Sequence, residues 1–321
     1  MKLAIIGAGA MGSLLGFYLS RQAEVWLLDP WAAHVASIRL AGITCERDGT
    51  TAVQPCHATS DPAEIGRCDA IIVLVKAAQT NWAAAMAAQL FADEDQSARP
   101  SASVLRLPSI VYTLQNGVGN RELLAEQLGA ARVGQGVSSL GATLLGPGRV
   151  RHAGMGPTIF GADPSPAQAA ALAALFSSCG LPAEVSADLD GLVWGKLLAN
   201  VAINALTALL RVPNGTLAEV PAARELAEAA VAEAAAVAAA RGTNLPYSDP
   251  IGHALAVAAA TGANRSSMLQ DVLRGAPSEI ATINGAVSRE GQRLGVPTPV
   301  NDLLTALVSA LDATIEQREI T

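Results

Sequence analysis

Short runs of β-branched and aliphatic residues recur through the first half of the chain, near residues 3–6, 25–28, 70–75 and 110–114, and each is followed by a helical or turn-forming segment. That alternation predicts a parallel sheet with crossover helices. Two further stretches, 42–53 turning at Asp48-Gly49 and 141–151 turning at Gly146-Pro147-Gly148, read as hairpins or edge strands added to the same sheet. From Asp188 onward the strand pattern is gone and the chain reads as helix throughout, including an alanine-rich, glutamate-studded stretch at 218–240. The expected architecture is therefore α/β: a doubly wound sheet over residues 1–187, followed by an all-helical domain over 188–321. Residues 92–108, rich in Asp, Gln, Ser, Arg and Pro, read as a long exposed loop.

At 321 residues the chain suits two domains, each able to bury its own core. Hydrophobic residues make up 51% and charged residues 15%, but much of the apolar excess is alanine. No uninterrupted apolar run reaches the roughly 20 residues of a membrane span, which predicts a protein without a membrane partner. The chain passes from Lys2 into a four-residue apolar run and then directly into glycines, too short for a signal-peptide core, and a cytoplasmic location is expected. Cys45, Cys56, Cys68 and Cys179 form no C-x-x-C pair and have no histidine at metal spacing, so reduced thiols and no metal site are expected. A formal charge of −7 without a clustered Lys/Arg stripe argues against nucleic acid and for a small-molecule partner. The alanine-rich helices could pack closely enough to support a homodimer.

Gly7-Ala8-Gly9-Ala10-Met11-Gly12 follows the first strand and opens a helix, which is the context a G-x-G-x-x-G dinucleotide fingerprint requires. Gly7 permits the tight turn, Gly9 lets a pyrophosphate approach the backbone, and Gly12 allows helix and strand to pack closely. The helix N-terminal amides then face the phosphates. The first domain is thus expected to be Rossmann-like. At the end of the second strand stands Asp29, where the adenine ribose of a bound dinucleotide is expected. A carboxylate there accepts hydrogen bonds from ribose hydroxyls and repels a 2′-phosphate, so the residue favours NADH over NADPH.

In the helical half, an otherwise apolar helix is interrupted by Lys196, Asn200 and Asn204. Their four-residue spacing places them on one stripe about 80° wide, continued by Thr207. A solvent-facing stripe usually carries Glu, Lys and Arg, and asparagine is a poor helix-interior residue, so the stripe reads as the lining of a cleft. A lysine in such a cleft can stabilise negative charge growing on a keto oxygen and donate its proton. The asparagines supply donors and acceptors without adding charge.

With these features the sequence resembles the ketopantoate (2-dehydropantoate) reductase family over nearly its whole length. The matching segments come in family order: the N-terminal glycines, Lys76 after Val73-Leu74-Val75, Asn116-Gly117-Val118-Gly119, and the Lys196/Asn200/Asn204 helix. Pro213-Asn214-Gly215, Asn264-Arg265-Ser266-Ser267, Ser278-Glu279-Ile280 and Ile283-Asn284-Gly285 follow. The resemblance implies that Lys196 is the general acid and that Asn200, Asn204, Asn214 and Ser267 contact substrate. It implies that Lys76, Asn116, Ala142 and Glu279 lie by the cofactor or close the site around it. Glu279 would hold the nicotinamide ribose or orient Lys196, a catalytic role in the second case.

The implied activity is reduction of a 2-keto acid, ketopantoate first, by NAD(P)H, within pantothenate synthesis. One departure stands out: many members place a basic residue after the second strand to hold the 2′-phosphate of NADPH, where this chain has Asp29. A dehydrogenase of another 2-keto or 2-hydroxy acid on the same scaffold is the alternative, and a non-catalytic NAD(P)-binding sensor a remote one.

Overall fold

A computed structural model describes residues 1–91 and 109–317. The loop expected at 92–108 lies outside the described residues. The chain divides into two compact units: Met1–Gln115 with Asn120–Leu189, and Asn116–Gly119 with Asp190–Thr321.

The first unit begins β1 (Lys2–Ile6), α1 (Ala10–Leu19), β2 (Glu24–Leu28), α2 (Ala32–Ala41), β3 (Ile43–Arg47), β4 (Thr50–Gln54), β5 (His57–Thr59) and α3 (Pro62–Ile65). It continues β6 (Ala70–Val73), α4 (Thr80–Leu90), β7 (Ile110–Thr113), α5 (Asn120–Leu128), β8 (Val133–Ser138), β9 (Gly141–Gly146), β10 (Arg149–Gly154), β11 (Thr158–Gly161), α6 (Pro166–Ser178) and β12 (Ala183–Ser186). Among the described residues, eight strands form one sheet in the order β12-β11-β8-β7-β6-β1-β2-β5, parallel except where β11 meets β8.

Strand β1 shows why the sheet is covered on both faces. Successive side chains of a strand point to opposite sides. Leu3 and Ile5 enter a core with Leu14, Leu15 and Leu19 of α1 and Phe176 of α6, while Ala4 and Ile6 enter another with Ala83, Ala84 and Ala87 of α4. Because β1 pairs with β2 on one side and β6 on the other, the chain order reverses at β1. In open α/β sheets, ligands bind outside the carboxyl ends of the strands at such a switch point.

The two hairpins form, but they do not extend this sheet. Strands β3/β4 and β9/β10 are antiparallel pairs, joined to each other by a parallel β3–β10 pairing into a separate four-stranded sheet, β4-β3-β10-β9. Burial supplies the reason: Ile43 and Cys45 of β3 and Val150 of β10 turn into the same core as α1, so the hairpins cover a helix instead of prolonging an edge.

The second unit is helical: α7 (Asp190–Leu210), α8 (Thr216–Glu219), α9 (Pro221–Arg241), α10 (Pro250–Ala260), α11 (Ser267–Leu273), α12 (Asn284–Leu294) and α13 (Pro299–Ala313). The alanine-rich stretch becomes α9, started by Pro221 and ended by Gly242 in the left-handed conformation. Its Ala223, Ala227, Ala230 and Ala234 pack with Leu197, Leu198 and Val201 of α7 in one core. Helix α7 is long and apolar enough to cross a membrane by length and composition, yet most of it is buried within the protein, as a core helix is.

Candidate functional site

In the first unit, the glycine turn sits at the carboxyl end of β1, beside the ends of β2 and β6. Gly7 donates its N–H to Leu28 O at 2.8 Å and has φ of 100°, a conformation that favours glycine. A Cβ there would lie 2.7 Å from Val75 N, so the segment leaving β6 passes too close for any side chain. At Gly12 the demand is harsher: a Cβ would stand 1.9 Å from Gly7 O. Gly9 is exposed, with nothing within 4 Å of where a Cβ would be. The turn is thus closed toward the protein and open outward, and Ala10 and Met11 begin α1. These residues fit a dinucleotide.

Asp29 holds the turn from the next strand. Its Oδ2 accepts the Ala8 N–H at 2.7 Å, and its Oδ1 accepts that of Trp31 at 2.9 Å. One carboxylate thus ties the glycine turn to the turn that follows β2. Lys76, half-buried, follows β6 beside Gly7 and precedes a short 3-10 turn, Ala77–Gln79. Ala142 lies on β9 in the separate sheet, packed with Met11 against the first core.

In the second unit, the stripe on α7 is half-buried at Lys196 and Asn200, and buried at Asn204 and Thr207. Lys196 Nζ donates to Asn116 Oδ1 at 2.9 Å, so the asparagine implied to lie by the cofactor belongs with the lysine. The Asn116–Gly119 turn is clasped by backbone: Val118 N–H donates to Thr282 O at 3.0 Å, and a Cβ on Gly117 would come within 2.2 Å of the same oxygen. Glu279, buried, comes just before the 3-10 turn Ile280–Thr282, and its charge acts on Lys196. Desolvation brings the Lys196 pKa down to about 8, and the Glu279 carboxylate works in the opposite direction.

At its far end the stripe closes onto the loop before α11. Thr207 Oγ1 donates to Ser266 Oγ at 2.7 Å, and Ser266 caps the helix through the Leu269 N–H at 3.0 Å, leaving Ser267 in the first turn. Asn214 is buried. Its Nδ2 donates to Thr261 Oγ1 at 2.9 Å, while its Oδ1 has no hydrogen-bond partner among the described residues.

Two sets of supporting residues escaped the sequence reading. One joins α7, α9, α12 and α13: Asn284 Nδ2 donates to Val201 O and Asn301 Oδ1, and Asn301 Nδ2 donates to Ala230 O and Glu233 Oε2. The Glu233 carboxylate also accepts the Val300 and Asn301 N–H groups, capping α13 from α9. Asn284 was visible only as part of a family segment, and no spacing rule links it to Val201. The other set, Ser13 and His34, stands behind the glycine turn. A small polar residue one place after Gly12 was its only local sign.

A family model described as "Ketopantoate reductase PanE/ApbA" matches residues 3–165, and its C-terminal counterpart matches residues 188–312. The 2-dehydropantoate 2-reductase of Halobacterium salinarum is 36% identical over 312 residues, covering 96% of this chain and 98% of the relative. That of Archaeoglobus fulgidus is 32% identical over 324 residues, covering 97% and 98%. Among solved structures, a PanE/ApbA family ketopantoate reductase from Ralstonia eutropha matches with a TM-score of 0.86 at 33% identity, covering 98% of this chain and 100% of that one. A D-mandelate dehydrogenase with NADH and anilino(oxo)acetate matches with a TM-score of 0.86 at 29% identity over the same shares. With a glycine turn closed toward the protein and open outward, a lysine held by Asn116 in a helical unit, and both halves matched in order, the chain belongs to the ketopantoate reductase PanE/ApbA family.

Proposed function

We propose that the protein is a 2-dehydropantoate 2-reductase, reducing ketopantoate to pantoate, with residues 1–187 holding the dinucleotide and 188–321 the substrate. One observation carries this reading: an ammonium on an apolar helix, held by Asn116 Oδ1 at 2.9 Å and brought down to a pKa of about 8. When bound, the nicotinamide supplies the hydride. Lys196 Nζ faces the growing negative charge on the keto oxygen and donates the proton that completes the alcohol. With a pKa of about 8 it is mostly protonated at pH 7, yet gives up its proton more readily than an exposed lysine.

Asn116 aims the ammonium, and the Glu279 charge keeps it protonated against desolvation. Asn200 and Asn204 present amides along the same face, and Ser267 offers a hydroxyl to the carboxylate of the substrate. The buried Asn214 Oδ1 is an acceptor suited to a substrate hydroxyl, and an unmatched buried acceptor costs about 1–3 kcal/mol. Gly7, Ala8, Gly9, Ala10, Met11 and Gly12 hold the pyrophosphate, Asp29 the adenine ribose, and Lys76 and Ala142 flank the dinucleotide.

NADH is the proposed cofactor. The Asp29 carboxylate would meet a 2′-phosphate with like charge, and a related structure is described with NADH. That D-mandelate dehydrogenase also motivates the second reading, a dehydrogenase of another 2-hydroxy acid. Steady-state assays with ketopantoate and each nucleotide test both points, and the expected kcat/KM is about tenfold or more in favour of NADH, the scale of one opposed charge pair. A phenyl-bearing keto acid turned over faster than ketopantoate would establish the second reading.

A further inference from the structure

Behind the glycine turn lies a closed chain of hydrogen bonds that no sequence pattern announced. Gly148, in the β9–β10 turn, donates its N–H to His34 Nδ1 at 3.0 Å. His34 Nε2 lies 3.1 Å from Ser13 Oγ, and Ser13 Oγ donates to Ala8 O at 2.7 Å. The two ends assign the same tautomer independently. Nδ1 receives a backbone N–H, so it carries no proton; Ser13 has spent its one proton on Ala8 O, so it must accept from Nε2–H. Both side chains are fully buried, and the Trp31 ring lies flat on the imidazole at a centroid distance of 5.0 Å. Burial pushes the His34 pKa below its ordinary value, against the opposing influence of Asp29.

The consequence concerns the peptide joining Ala8 to Gly9. A trans peptide is planar, so its C=O and N–H point in opposite directions. With Ala8 O drawn inward to Ser13, the N–H of Gly9 must face outward, where Gly9 is exposed and free of neighbours. The preceding peptide is held as well, through the Ala8 N–H on Asp29 Oδ2. Both planes flanking Ala8 are therefore set by side chains from outside the turn.

We propose that Ser13 and His34 are positioning residues for the dinucleotide: a neutral His34, anchored by the Gly148 N–H, holds Ser13 so that the Ala8 carbonyl stays inward and the Gly9 N–H is aimed at the pyrophosphate. The inference rests on reading the glycine turn as the dinucleotide site. It gives the small second sheet a task, since its β9–β10 turn supplies the terminal donor of the chain.

The test is calorimetric binding of ADP-ribose, which carries the pyrophosphate without the nicotinamide, to the wild type, Ser13→Ala, Ser13→Cys, His34→Phe and the Ser13→Ala/His34→Phe double variant. Ser13→Cys keeps nearly the same volume, so at least one variant folds with little repacking. Each single variant is expected to bind about tenfold more weakly, the size of one buried hydrogen bond, and the double variant no more weakly than Ser13→Ala alone. Nitrogen NMR of labelled histidine should show His34 as the Nε2–H tautomer in the wild type. Unchanged ADP-ribose affinity in folded Ser13→Ala and Ser13→Cys overturns the positioning role while leaving the dinucleotide site standing. Losses that multiply in the double variant overturn the chain from His34 through Ser13. A wild type that fails to bind ADP-ribose removes the nucleotide reading and this inference together.

Discussion

The glycine turn of the first unit and the lysine stripe of the second solve opposite problems. Around Gly7 and Gly12 the turn is shaped by main chain, and side chains are excluded: a Cβ at either position would overlap backbone atoms. Around Lys196 the polar contacts are made by side chains, and the charge of the lysine depends on how far burial shifts its ionisation against a neighbouring carboxylate. A site made of amides needs only shape and is indifferent to pH near neutrality. A site made of a desolvated ammonium works only in one protonation state, which its surroundings must hold in place.

Variants that separate the two regions sharpen this contrast. Replacing Lys196 with alanine should lower kcat by about a thousandfold, within the range for loss of a general acid, while calorimetry finds ADP-ribose binding within about twofold of wild type. Near-normal turnover in that variant would take the lysine out of the chemistry.

The mirror experiment is Gly12→Ala. The new methyl must displace Gly7 O, so ADP-ribose affinity should fall by about a hundredfold, a loss of about 3 kcal/mol in keeping with forced overpacking. A variant that still binds normally would mean that the turn can yield at its tightest contact.

The smallest effect is expected from Glu279→Gln and reads pH. The proposed proton donor, Lys196, has to be protonated to act, so activity should hold below a pKa of about 8 and fall as pH rises through it. The Glu279 charge is the influence that raises this pKa against desolvation; without it the pKa drops and the alkaline fall begins at lower pH. An unmoved alkaline limb would show that the titrating group is not this lysine.

Much of the fold was legible because its signals are local. Within the G-x-G-x-x-G turn the demand at Gly12 is set five positions away, by the oxygen of Gly7. The stripe on α7 follows from a four-residue spacing, and the switch from alternating to helical pattern near residue 188 needs no knowledge of the rest of the chain. The hairpins were equally visible in their turn residues. Their destination was not, because whether a hairpin extends a sheet or covers a helix depends on which buried surface it meets.

What the chain order by itself determined, then, is which residue types occupy which local geometry: glycine where backbone approaches backbone, a lysine and two asparagines on one helical face, an acid at the end of β2. Only the tertiary structure decided their partners. Asn116 reaches Lys196 across 80 positions, and Gly148 reaches His34 across 114. Hydrogen bonding and desolvation act over a few ångströms of space, a distance that sequence separation does not encode. The proton affinity of the lysine and the aim of the Gly9 amide are therefore properties of the folded chain.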